Sequence, residues 1–268
     1  MKPLIRWSGS KKQMLPKLKP LWQSDRERYI ELFAGSACLF FELEPTSAVL
    51  ADKNRELMDT YVSIKKEPGA VHDALLSMGA GKQGYAEVRA QDTSELTPAR
   101  RAARFIYLMR HCYGGVYRTN RSGGFNVPYG GGSTGQLPTR DSLLAVSKLL
   151  QHAELFNGDF TAAVEEYRPG DFVYLDPPYA DVLDRRGLQY GYDSFLSDEL
   201  GRLVAELDRI VAAGAEFVLS YADTPEARAA LERYGPTQVT VQRSLARNPE
   251  QRGVAQELLC TSFERVPA

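Results

Sequence analysis

A chain of 268 residues, 43% apolar and 25% charged, can bury one large core, or one core carrying an insertion. No apolar run is long enough to span a membrane, and the start Met1-Lys2-Pro3-Leu4-Ile5-Arg6 lacks a signal-peptide core. Cys38, Cys112 and Cys260 are scattered and His72, His111 and His152 isolated, which argues against a disulfide framework or metal cluster; a cytoplasmic protein with no metal and no membrane partner is expected.

The net charge of −1 argues against nucleic acid as a partner until its distribution is read. From Arg100 to Lys148 there are eight basic residues (Arg100, Arg101, Arg104, Arg110, Arg118, Arg121, Arg140, Lys148) against Asp141 alone, and from Met1 to Arg28 eight against Asp25 and Glu27. Charge segregated in this way suits a binding face set into a neutral protein.

In chain order, Arg6-Trp7-Ser8-Gly9-Ser10-Lys11-Lys12 joins an aromatic, a flexible turn and a basic pair. The apolar spacing of Met14, Leu15, Leu18, Leu21 and Trp22 predicts a helix from Ser10, with Pro16 early in it. Tyr29 to Phe33 reads as a strand, and Ala34-Gly35-Ser36-Ala37-Cys38 as a small-residue turn opening an apolar helix through Phe41, where a ligand could approach the backbone. A second strand, Ala48 to Ala51, ends at Asp52, placed to accept both hydroxyls of a ribose. Turn and carboxylate together point to an adenosine-containing cofactor.

Asn54 to Lys66 reads as a helix. From Pro68 to Gln151 the strand–helix alternation stops, as expected of an inserted helical module. At its centre, Tyr113 to Gly130 interleaves aromatics, arginines and glycines, residue types that suit phosphate and base-edge contact; Phe125, Val127 and Tyr129 alternate like a packed hairpin. Leu155-Phe156-Asn157 is then a strand ending at Gly158-Asp159-Phe160. Phe172 to Leu175 reads as a buried parallel strand that two prolines stop abruptly. An amphipathic helix follows (Leu200, Leu203, Val204, Leu207, Ile210), then a strand at Phe217 to Ser220. A terminal hairpin pairs Val239-Thr240-Val241 with Leu258-Leu259-Cys260 across a loop carrying Arg243, Arg247, Asn248 and Arg252.

Asp176-Pro177-Pro178-Tyr179 carries the chemistry. Asp176 offers acceptors, Pro177 a carbonyl with no competing N–H, and Tyr179 an aromatic face and a hydroxyl. Two acceptors converging on one NH2 beside a stacking ring make a site for an exocyclic amine such as N6 of adenine, at the strand end where open α/β sheets bind ligands.

With these motifs in this order, the chain resembles the Dam-type DNA adenine-N6 methyltransferases over nearly its whole length. The resembling segments are Trp7-Ser8-Gly9-Ser10-Lys11, Glu31-Leu32-Phe33-Ala34-Gly35, Ala51-Asp52-Lys53-Asn54, Phe125 to Gly130, Asp176 to Tyr179, and Arg247-Asn248 with Glu257-Leu258-Leu259. The resemblance implies an α/β, Rossmann-like S-adenosylmethionine-dependent methyltransferase fold: a seven-stranded, mostly parallel sheet with an antiparallel seventh strand and an inserted helical DNA-recognition module. Residues 1–60 and 152–268 would form the cofactor-binding core and 61–151 the module.

Trp7 and Lys11 would lie near the methionine end of S-adenosylmethionine. Glu31, Phe33 and Gly35 would form its turn, Asp52 would hold the ribose, and Asp159 and Phe160 would flank the adenine. Asp176 would meet both cofactor and target, with Pro177, Pro178 and Tyr179 completing the catalytic set. Tyr113, Val116, Arg118, Asn120, Pro128 and Arg247 would face double-stranded DNA, Arg118 reading guanine. Gly114 and Val116 stand where relatives of G-A-T-C specificity tend to carry Asn and Leu, so the target word is not read from the sequence; Ala37 replaces a second glycine of the turn. A partner restriction enzyme is compatible with this reading. An RNA or protein-glutamine N-methyltransferase, and a non-catalytic DNA-binding protein of the same fold, stay open at this point.

Overall fold

The computed structural model describes residues 3–23, 25–131, 135–178, 197–243 and 253–264. Short apolar runs punctuated by Gly and Pro become seven strands: β1 (Arg28–Glu31), β2 (Ala48–Asp52), β3 (Ala153–Asn157), β4 (Asp171–Leu175), β5 (Glu216–Ala222), β6 (Thr237–Arg243) and β7 (Gly253–Thr261). They form one sheet in the order β3-β2-β1-β4-β5-β7-β6. The pairings of β1 through β5 are parallel, and β7 runs antiparallel between β5 and β6, as expected of the seventh strand.

Period-two alternation sorts the strand side chains between two cores. Tyr29, Leu50, Phe172, Tyr174, Val218 and Leu259 face one side. Ile30, Val49, Val173, Leu175, Phe217 and Leu219 face the other. The first face is covered by α2 (Cys38–Leu43), α3 (Arg55–Lys66), α4 (Pro68–Leu76), α5 (Gly81–Ala90), α6 (Pro98–His111) and α7 (Arg140–Leu150). The second is covered by α8 (Ser197–Ala212) and α9 (Pro225–Leu231), the latter not anticipated from sequence. Helix starts follow their caps: Asn54 Oδ1 accepts from Leu57 N (3.0 Å), and Thr97, Thr139 and Thr224 cap α6, α7 and α9.

The single helix expected from Ser10 is not formed. The segment is a 3-10 turn (Lys11–Met14), one α turn α1 (Leu15–Leu18) and a second 3-10 turn (Lys19–Leu21). Pro16 and Pro20 each lack the N–H that a continuous ladder would require, although Met14 and Leu18 still bury themselves in the core. The segment 61–151 lies within the β2-to-β3 crossover, and α3 packs against both α6 and α7. All three cysteines are free and buried. No helix among the described residues is long and apolar enough to cross a membrane.

Arg28 and Asp171 are register partners on β1 and β4, and their side chains form a two-pronged pair: Nε to Oδ1 at 2.8 Å and Nη2 to Oδ2 at 2.6 Å. The Asp171 side chain is fully buried and also accepts from Arg168 N (2.9 Å). Arg28→Ala should lower the unfolding free energy by about 3 kcal/mol, the low end for a broken buried pair, because the Arg168 N–H still donates. Urea denaturation showing a loss below about 1 kcal/mol would mean this pair does not pin β1 to β4.

Candidate active site

After β1 the chain makes a tight turn before α2. Gly35 has φ +46°, and a Cβ there would stand 2.9 Å from Trp7 Nε1, so only glycine lets the indole lie on the turn. Ala37, where a second glycine was expected, also takes a left-handed conformation with φ 48°. Asp52, half-buried at the end of β2, braces the turn: its Oδ2 accepts from Gly35 N (2.9 Å) and its Oδ1 from Asn54 N (2.8 Å). Burial raises its pKa and these N–H groups oppose the rise. Tyr61 donates to Gly35 O (2.8 Å), and Ser10 and Ser36 share a hydrogen bond (2.8 Å) that ties the N-terminal segment to the turn.

Beside the turn, β4 ends at Leu175 and delivers Asp176, followed by buried Pro177 and half-buried Pro178. Asp176 Oδ1 accepts from Lys11 Nζ at 2.6 Å, and Glu257 Oε2 on β7 stands 3.7 Å from the same nitrogen. Burial pushes Asp176 up to about 6, against the Lys11 ammonium, with the Glu257 charge adding to the rise. Glu31 is buried at the end of β1 and accepts from Tyr29 OH (2.9 Å). Burial raises it to about 8, with Asp176 and Asp52 adding to the rise against the Tyr29 hydrogen bond. Sequence reading gave Glu257 no role; the available signal was a carboxylate directly before the apolar run Leu258-Leu259-Cys260 of a strand.

At the end of β3, Phe33 and Phe160 pack with ring centroids 5.2 Å apart. Asp159 caps the following 3-10 turn through Thr161 N (3.1 Å) and pairs with Arg202 at 2.6 Å. Burial works to raise its pKa, but the bonds from Thr161 and Arg202 outweigh it and hold the carboxylate below the ordinary range.

Residues 113–130 form a hairpin-like excursion with antiparallel bridges Cys112↔Tyr129 and Thr119↔Phe125. Phe125 and Val127 are buried, and Tyr85 OH and Arg89 Nη1 both donate to Val127 O (2.9 and 3.2 Å). Asn120, exposed at the tip, accepts at Oδ1 from Ser122 N (3.0 Å) and Gly124 N (2.9 Å), which closes the turn. Arg118 gives Nε to Asn126 Oδ1 (2.7 Å) and Nη2 to Asn126 O (3.3 Å). Tyr113 and Pro128 are exposed and Val116 half-buried. Gly115 O accepts from Ser8 N (2.9 Å), and the Trp7 and Tyr117 rings stack 6.1 Å apart, so this excursion is fastened to the N-terminal segment.

The expected basic face is smaller than its sequence count. Arg104 is buried and caps the end of α5 through Val88 O (3.0 Å) and Arg89 O (2.9 Å), which removes it from the binding face expected of the basic residues from Arg100 to Lys148. Arg110 holds Leu4 O (2.7 Å) and Pro3 O (2.8 Å). Arg100, Arg101, Arg121, Arg140 and Lys148 are exposed. Thus the structure brings Trp7, Lys11, Glu31, Gly35, Asp52 and Asp176 to the carboxyl ends of neighbouring strands, with Phe33, Asp159 and Phe160 beyond them, and sets Tyr113, Val116, Arg118, Asn120 and Pro128 on the excursion. Tyr179 and Arg247 lie outside the described residues.

Known proteins bear out the family resemblance. Type II methyltransferase M1.LlaDCHI of Lactococcus lactis subsp. cremoris is 29% identical over 272 residues, covering 98% of this chain and 96% of the relative. Type II methyltransferase M.MjaIII of Methanocaldococcus jannaschii is 31% identical over 242 residues (82% and 84%). The DNA adenine methylase of Haemophilus influenzae is 26% identical over 269 residues (96% and 92%). A family model spans residues 7–245, from the tryptophan on the glycine turn to beyond β6, and by that match the chain belongs to the D12 class of N6 adenine-specific DNA methyltransferases.

Proposed function

We propose that this chain transfers a methyl group from S-adenosylmethionine to N6 of an adenine flipped out of double-stranded DNA. The observation that carries the reading is Asp176, a half-buried carboxylate delivered by a proline-stopped strand beside the glycine turn. When bound, S-adenosylmethionine supplies an electrophilic methyl carbon on a sulfonium, whose sulfur takes the C–S electron pair as the N–C bond forms. The donor set fits such a group: Glu31, Asp52 and Asp176 make an acid-rich crevice suited to a cation, and Asp52 stands where a ribose could be gripped at the end of β2. Phe33 and Phe160 offer apolar surface at the end of β3 for an adenine ring.

The residues of the chain do the rest by position and charge. Asp176 and the Pro177 carbonyl accept from N6–H, which aims the nitrogen lone pair and offsets the positive charge developing there. Tyr179 stacks on the flipped base, whose extraction costs a few kcal/mol. Residues 61–151 serve as the target-recognition module, with Arg118 and Tyr113 toward bases and Arg100, Arg101 and Arg121 toward phosphates. A companion restriction endonuclease fits the type II names of the relatives.

Measurements on four residues test this reading. Since Asp176 acts as a carboxylate and burial sets its pKa at about 6, methylation should fall about tenfold per pH unit below that value, and Asp176→Ala should abolish turnover while donor binding stays within a few-fold. An acidic limb near pH 4, or a variant that still methylates, would remove Asp176 from the role. Asp52→Ala should weaken S-adenosylmethionine binding by about 1.5–3 kcal/mol in calorimetry; unchanged affinity would make Asp52 a brace of the turn alone. Arg118→Ala should relax specificity at one base pair at a cost of about 1–3 kcal/mol. Exposed Arg100→Ala should weaken all sequences alike and flatten the salt dependence by about one unit. Sequencing-based methylation profiles showing an even loss for Arg118→Ala would show that it does not read a base.

A further inference from the structure

Lys11, Asp176 and Glu257 form a triangle contributed by the N-terminal segment, β4 and β7. The side chains are 8%, 17% and 5% exposed respectively, so water does little to screen them. The triangle is asymmetric: Lys11 Nζ is 2.6 Å from Asp176 but 3.7 Å from Glu257. Among the described residues, Glu257 Oε2 has no hydrogen-bond partner although it is buried. A buried acceptor left unpaired beside an ammonium is costly, and such exceptions call for an explanation. Packing does not force the residue to be acidic, since its register partners on β5 and β6 are Ala222 and Val239.

The proposed reaction supplies the explanation. Lys11 occupies Oδ1, one of the two acceptor oxygens of Asp176, and cancels the carboxylate's charge. Methyl transfer makes N6 more positive, so an ammonium fixed on the acceptor opposes the transition state. Lys11 has a flexible four-carbon stem, and Glu257 lies only about an ångström beyond an ordinary charge-assisted contact of about 2.8 Å. We propose that Glu257 is a positioning residue that draws the Lys11 ammonium off Asp176 when the target amine enters, freeing Asp176 Oδ1 for N6–H. As carboxylates, the two acids around one ammonium leave the triangle with a net negative charge opposite the developing cation. The inference rests on Asp176 being the acceptor for N6. Among the described residues, Glu31 at the end of β1, Cys38 at the start of α2 and Tyr174 on β4 are also electrostatically coupled to Asp176.

The test is single-turnover methylation of duplex DNA at saturating S-adenosylmethionine, from pH 5 to 9, by the full-length wild type and by Glu257→Gln, Glu257→Asp and Asp176→Ala. Glu257→Gln should cut the plateau rate at least tenfold, with donor affinity within threefold. Its acidic limb should move to lower pH, because the acid that raises Asp176 is gone. Glu257→Asp, which keeps the charge, should stay within about fivefold of wild type with its limb unmoved. A merely structural glutamate would not give a slower enzyme with a more acid-tolerant limb. A Glu257→Gln plateau within twofold of wild type, or a loss with an unmoved limb, overturns the inference. Should that variant fail to fold, Glu257→Asp decides: a fall beyond tenfold with a lowered limb overturns it. Methylation retained by Asp176→Ala would instead refute the acceptor reading, whereas an inactive Asp176→Ala beside a normal Glu257→Gln refutes only the role of Glu257.

Discussion

The site depends on the reversal of strand order between β1 and β4. From β1 the sheet builds outward through β2 and β3; from β4 it builds the other way through β5. The chain therefore leaves the carboxyl ends of β1 and β4 in opposite directions, and a crevice opens between two strands that are themselves hydrogen-bonded. Gly35 lies on one side of it and Asp176 on the other. The Arg28–Asp171 pair at the opposite end of the same two strands keeps them in register, so the geometry of the turn and of the acid is fixed from below.

Charge in this protein is divided, and the near-zero total hides it. The crevice gathers Glu31, Asp52 and Asp176, with Lys11 set between Asp176 and Glu257, and burial raises Glu31, Asp52 and Asp176 together. An acid-rich crevice suits a cationic group, which would relieve that crowding. Exposed Arg100, Arg101, Arg121, Arg140 and Lys148 stand on the segment between β2 and β3, where a polyanion could be met without entering the crevice. Two of the arginines there serve the fold instead. Arg104 and Arg110 use their planar forks on backbone carbonyls of α5 and of the N-terminal segment, and so stiffen the region that carries the hairpin.

Trp7 connects the two regions. Its indole lies on Gly35, which has no side chain to obstruct it, and stacks on Tyr117, whose hydroxyl donates to Glu56 of α3 (2.9 Å). With Ser8 N on Gly115 O, the N-terminal segment forms part of the crevice and part of the support for the excursion. The short broken turns after Ser10 follow from this: a straight helix through Pro16 and Pro20 is excluded locally, and the chain instead bends so that Lys11 reaches Asp176.

The sequence by itself determined the alternating layers, the strand ends and which candidate groups stand at them, because these depend on short-range pattern. Apolar runs stopped by Gly or Pro gave the strands, the helix from Asn54 was legible in its residues, and Gly35, Asp52 and Asp176 stood at strand ends where ligands bind. Only the tertiary structure decided what the long-range charges do. Nothing local distinguishes Arg104, buried on helix carbonyls, from exposed Arg100 four residues earlier, since burial depends on which helix packs across. Nor does any spacing show that Asn120 closes a turn, that Arg118 rests on Asn126, or that Glu257 faces Lys11 across 246 positions. A side chain's chemistry is written in its own residue, but its protonation, charge partners and reach are set by neighbours that folding brings from elsewhere in the chain.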